Sequence, residues 1–99
     1  MDITWLEVEE IDGVIRIACD QLSEQSVRQG LLRHNIQLTE SETLVHHKQG
    51  DISLQLVEFH ALSTTKEEVD FALADSLKLV RPYPKKTAPK MSGLQDSSD

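Results

Sequence analysis

Residues 3–19 read ITWLEVEEIDGVIRIAC, and this stretch decides the fold class. Asp12-Gly13 is the preferred pair for a two-residue type I′ turn, whose central residues both take positive φ. Pairing outward from the turn sets Val8 opposite Ile17, Leu6 opposite Cys19 and Glu9 opposite Arg16. Side chains alternate along a strand. Thr4, Leu6, Val8 and Glu10 therefore share a face with Ile15, Ile17 and Cys19. The other face carries Trp5, Glu7, Glu9 and Ile11 with Val14, Arg16 and Ala18.

Downstream of this hairpin a short helix is expected over about 24–34. Ser23 is the candidate N-cap, and Leu22 with Val27 has the spacing of a hydrophobic staple. Val27, Leu31 and His34 fall on one helix face, and Asn35 suits a left-handed terminator. Gly30 costs about 1 kcal/mol relative to alanine inside such a helix. Ile36–Leu38 reads as a short strand, followed by a second hairpin at about 42–48 and 52–60 turning at Gln49-Gly50. That turn places Val45 opposite Leu54 and His47 opposite Ile52, with Ile52, Leu54 and Leu56 on one face and Leu44, Val57 and Phe59 on the other. A last helix opens at Thr65, with Glu68 three residues on as in a capping box. Its acids lie at the start and its bases, Lys78 and Arg81, at the end, as the helix dipole favours. Val69, Ala72, Leu73, Leu77 and Val80 form its apolar stripe, with Phe71 on the opposite side.

The element order is ββα, two or three strands, then α. The economical packing is an α+β fold, an antiparallel sheet of four or five strands with both helices on one face. Residues 1–84 form the expected single domain, since Pro82 and Pro84 stop the last helix. This part holds 15 acids and 7 bases, a net of −8, within a chain whose net charge is −7. The rest, 85–99, has two apolar side chains of any size, Met91 and Leu94, and is expected to be disordered.

Composition narrows the function classes. The acidic balance argues against direct nucleic-acid binding by the domain, leaving a tail contact through Lys85, Lys86 and Lys90 as the one route. No apolar run has the length of a membrane span. A single cysteine fits a reducing, cytoplasmic setting.

The titratable residues form no catalytic constellation that the expected strand and helix geometry supports. Adjacent strand positions send His46 and His47 to opposite faces, and His47 and His60 are expected roughly 26 Å apart at about 3.3 Å per residue. No zinc-type spacing is present, so no metal ligand and no cofactor are expected. Cys19 reads as a buried apolar residue rather than a nucleophile. His34, near a helix C-terminus, suits the dipole, with a pH-sensitive contact as the sharper reading. Glycines occur singly, which excludes a phosphate loop.

The strand, helix, hairpin and long helix from Val14 onward resemble the small dimerising subunit of the KEOPS tRNA-modifying complex. The likeness is greatest from Gln49-Gly50-Asp51-Ile52 to Leu77-Lys78-Leu79-Val80. It rests on element order and apolar positions, not on a signature. Thr64, Thr65 or Lys66 stands where that family has an arginine, and the strand before Asp12-Gly13 is additional, so no functional residue carries over.

The expected role is therefore a non-enzymatic protein-interaction or regulatory domain acting through a sheet face or edge, as a homodimer or a subunit of an assembly. The candidate partner-binding residues are those left off the core face: Trp5, Ile11, Val14, Leu44, Val57, Phe59 and Phe71. The alternatives are an accessory subunit in RNA modification or processing, and a small ligand-binding or enzymatic domain.

Overall fold

A computed structural model of the 99-residue chain describes residues 3–49 and 52–85, with the side chains at 44–49 and 52–54 outside the description. The elements are β1 (Leu6–Ile11), β2 (Val14–Asp20), α1 (Glu24–Leu32), β3 (Gln37–Leu38), β4 (Glu42–Gln49), β5 (Ile52–Leu62) and α2 (Lys66–Leu77). They build the expected α+β fold, one antiparallel sheet of five strands in the order β1-β2-β5-β3, with β4 also paired to β5. β3 takes Ala61 and Leu62 of β5, and β4 takes the stretch from Ile52 to Glu58. No helix among the described residues is long and apolar enough to cross a membrane.

The first hairpin forms as its turn dictates. Asp12 and Gly13 both have positive φ, 53° and 81°, the geometry of a type I′ turn. Its register is Leu6–Cys19, Val8–Ile17 and Glu9–Arg16. Leu6, Val8, Ile15, Ile17 and Cys19 are buried beneath α1 and α2. From the helices come Val27, Leu31, Val69, Ala72 and Leu73, all buried in the same core.

β5 departs from the expectation. Its pairing with β2 sets Ile17 opposite Phe59, Cys19 opposite Val57 and Ile15 opposite Ala61. Val57, Phe59 and Ala61 therefore lie inside the core, not on the outer face. Leu56, assigned to the helix-covered side, pairs with Asp20 on the opposite one. The cause is visible in the strand. Its even positions are apolar up to Leu56, whereas from Val57 to Ala61 the odd positions are apolar and the even ones are Glu58 and His60. The pattern changes phase, and the half beneath the helices sets the burial. The second hairpin is also displaced from the expected register, with His47 opposite Leu54 and Gln49 opposite Ile52. Pairing then shifts between Thr43 and His46, as at a bulge.

The helix termini differ in how far local signals held. Thr65 caps α2, accepting from Glu68 N–H at 3.1 Å, while the Glu68 carboxylate takes the Thr64 hydroxyl at 2.7 Å. α2 ends at Lys78 in the left-handed region (φ 60°), so Val80 leaves the stripe and is exposed, and Leu79 packs against the core instead. Asn35 is left-handed beyond α1 (φ 62°). Ser23, in contrast, closes a 3₁₀ turn and donates to Asp20 at 2.8 Å rather than capping α1. Leu22 is 96% exposed, so there is no staple with buried Val27. The buried Asp20 carboxylate also accepts from Thr4 N–H (3.1 Å) and Trp5 N–H (3.0 Å), which fixes the chain entering β1.

Gly30 marks the crossing of the two helices. A β-carbon there would lie 3.2 Å from Leu77 Cγ and Ser76 Cβ, and Ser76 Oγ donates to Gly30 O at 3.0 Å. The helix-propensity penalty of glycine is thus offset by close packing. Alanine regains about 1 kcal/mol of propensity but crowds α2, so Gly30→Ala is expected to stay within about 1 kcal/mol of the parent. The bulkier Gly30→Val should lose about 2–3 kcal/mol. Urea unfolding measures both, and a full 1 kcal/mol gain for alanine would show that the crossing is loose.

Candidate functional site

The helices cover one face of the sheet, and the other face is buried around Ala18, Asp20 and Leu56 but open at the end that carries Ile11, Val14 and Leu62. Its composition follows from the registers above. One apolar set spans three strands: Ile11 is paired with Val14 in β1–β2, and Leu62 follows Ala61, whose partner Ile15 is next to Val14, so that by alternation Leu62 is on the Val14 face. All three are exposed, at 50%, 42% and 42%. Scattered exposed apolar residues are ordinary, whereas three on one face of adjacent strands form a strip.

The next rows carry charge. Arg16 Nη1 lies 3.1 Å from Glu9 and 3.5 Å from Glu7, and its Nε lies 3.1 Å from Glu58. His60 Nε2 is 3.4 Å from Glu58, and Lys85 Nζ is 2.8 Å from Glu7. Burial alone would raise the Glu7 carboxyl, but Lys85 and Arg16 overcome it and hold the group below its ordinary 4.5. Burial likewise opposes the Arg16 charge, and Glu58, Glu9 and Glu7 outweigh it, so the guanidinium is held even more firmly charged than usual. Glu7 and Arg16 are thus held in their ionised forms, which suits a rigid electrostatic surface rather than proton transfer.

The structure separates the seven candidate residues. Ile11 and Val14 lie together on the open face. Trp5 is half-buried, with Lys85 Nζ 5.8 Å from its ring centroid. Val57 and Phe59 are in the core, and their assignment to a partner surface is corrected. Phe71 is exposed on α2, on the helical side of the molecule, where its ring meets His34 edge-on at 5.7 Å. Leu44 lies among residues whose side chains are not described. Leu62 was missed in the sequence because the β2–β5 pairing that puts it on the Val14 face joins residues distant along the chain. Lys85, assigned to the tail, is bridged to Trp5 and so belongs with the folded part, whereas 86–99 lie outside the described residues.

Other polar groups are engaged in holding the fold. Arg28 stacks over Phe59 at 4.4 Å and donates to Thr39 O (2.6 Å), Ser41 Oγ (2.7 Å) and Glu24 (3.1 Å). His34 pairs with Asp75 of α2 at 3.0 Å, a helix-to-helix contact invisible to local spacing. His34 also lines an open cleft of about 600 Å³, with Ile36, Thr65, Glu67, Glu68 and Phe71 among its other walls. Among the described residues, no three of His, Cys, Asp and Glu are grouped to hold a metal ion.

Comparison with family models, with curated proteins and with solved structures finds no match for this chain.

Cys19 is buried, and that burial, with the charges of Asp20 and Glu24, pushes its thiol up to about 12. A group whose folded pKa is raised keeps its stabilising share below the unfolded value and loses it as pH rises between the two. Stability should therefore fall between the ordinary 9.0 and about 12, and Cys19→Ala should flatten that fall in unfolding curves taken across this window. Glu7 titrates with the opposite sign. Its share of stability is present above 4.5 and lost as pH falls through its lowered folded value. Removing one of its cations in Lys85→Gln should move the Glu7 midpoint upward in a carboxyl NMR titration, and an unchanged midpoint would remove Lys85 from the cluster.

Proposed function

We propose that this chain is a non-enzymatic protein-interaction domain that pairs with a second copy of itself through the helix-free sheet face. The observation that carries this reading is the Ile11–Val14–Leu62 row, exposed across three adjacent strands. A row of this kind supplies the dry centre of an interface, with the ionised groups beside it as a polar rim. The Arg16 cluster supports the same reading because its charges are already paired within one chain. A partner laid over it leaves few charges uncompensated, which is the usual obstacle to covering an ionic surface. A second copy presents the same row, and a two-fold axis through it closes the pair without open-ended growth. The small core of so short a chain gains from such added burial.

The expected outcome is a concentration-dependent dimer in sedimentation equilibrium that Val14→Glu converts to a monomer with unchanged circular dichroism. Val14 is exposed in the monomer, so the substitution leaves the core intact. A wild-type chain that stays monomeric up to submillimolar concentration overturns the self-pairing.

A further inference from the structure

The edge of the sheet carries a separate signal. β1 is the outermost strand, and residues 81–85 run beside it as a strap. Leu6 N–H donates to Pro84 O at 2.8 Å, and Trp5 bridges Lys85 in antiparallel sense. The strap is held by charge and by one aromatic ring. Lys85 meets Glu7 at 2.8 Å, Arg81 meets Asp70 at 3.3 Å, and the Tyr83 hydroxyl donates to Asp70 while its ring packs against the core.

As a strand, however, the strap is a poor one. Continuing the register from Trp5–Lys85 sets Pro84 beside Leu6 and Pro82 beside Val8. Neither proline has an N–H, so the outward carbonyls of Leu6 and Val8 receive nothing from the strap backbone. Around these positions a groove of about 330 Å³ stays open between Leu6–Glu9 and Arg81–Lys85. Glu7 and Glu9 line it and share Arg16, and Glu7 and Asp70, the latter reached through Arg81, bind the strap's own cations.

We propose that the outer edge of β1 is a docking groove for an extended, basic segment of a partner protein, and that 81–85 is its weak resident occupant. The strap shows which chemistry fits, with cations flanking an aromatic residue. Its prolines show what a better ligand adds, two backbone donors facing Leu6 and Val8. Such a segment joins the sheet as a further strand and displaces the strap. The groove lies on the strand edge rather than the open face, so this inference is independent of self-pairing through Ile11, Val14 and Leu62.

The test uses the full chain and a fluorescent synthetic peptide, Val-Arg-Val-Tyr-Val-Lys-Lys, which repeats 80–86 with valine at both prolines. Binding is read by anisotropy. The peptide is expected to bind about tenfold more tightly to a chain with a loosened strap, Arg81→Glu with Lys85→Glu, than to the parent. N-methylation of the two valines that stand in place of Pro82 and Pro84, or replacement of the peptide's cations by glutamate, should weaken binding by about tenfold or more. Equal binding by the N-methylated peptide, or no tighter binding to a loosened chain with native circular dichroism, overturns the proposal. If the loosened chain does not fold, amide exchange at Val8 and Glu10 in the parent decides. Slowing on addition of peptide supports the groove, and no change overturns it. A loosened chain that dimerises and resists competition by the peptide assigns the edge to a second copy and also overturns the proposal.

Discussion

The pairing of β2 with β5, Ile17 opposite Phe59, is the constraint on which the rest of the molecule depends. β5 is flanked by β2 on one side and by β3 and β4 on the other, so its parity is imposed on every neighbour. With Val57, Phe59 and Ala61 beneath the helices, Glu58, His60 and Leu62 must face the other way. That single choice brings Glu58 to Arg16 and puts Leu62 on the same face as Val14. The open face is thus the complement of the core. A slip of one residue would bury Glu58 and His60 and expose Phe59, which is why the register tolerates no alternative.

What was legible in the sequence is what neighbouring residues decide among themselves. Asp12-Gly13 fixes a turn, the turn fixes a register, and the register fixes two faces, with no distant contact required. Thr65 caps α2 for the same reason. The failures share a cause as well. β5 carries apolar residues in both phases, and only packing against β2 and the helices selects between them. Leu22 looked like a staple because its spacing from Val27 is right, but the 3₁₀ turn formed by Asp20 and Ser23 directs it to solvent. Gly30 looked like a local defect, and its reason lies 46 residues away in Ser76 and Leu77.

Polar side chains close the gaps that a small core leaves. Asp20 ties the entry of β1 to the 3₁₀ turn, Arg28 ties the segment before β4 to α1 over Phe59, and Asp70 ties the strap to α2. Each satisfies several partners at once, as a charged group near the core must. Arg28 shows why an arginine serves here, since its plane stacks on a ring while its edge donates to a carbonyl and a hydroxyl. None of these ties follows from periodicity, because each joins elements far apart in the chain.

The two exposed features of the sheet differ in how they are guarded. The Ile11–Val14–Leu62 row has no charge within it, so solvent is its alternative to a partner. The β1 edge is shielded by prolines and lysine, devices that discourage unselective strand pairing. Shielding by a segment that cannot donate back is incomplete, and incompleteness distinguishes a removable cover from a permanent sixth strand. A permanent strand would use residues able to bond Leu6 and Val8 in both directions. The sequence Arg81-Pro82-Tyr83-Pro84-Lys85 keeps the charge and the ring that recognise the groove while withholding the backbone bonds that would seal it.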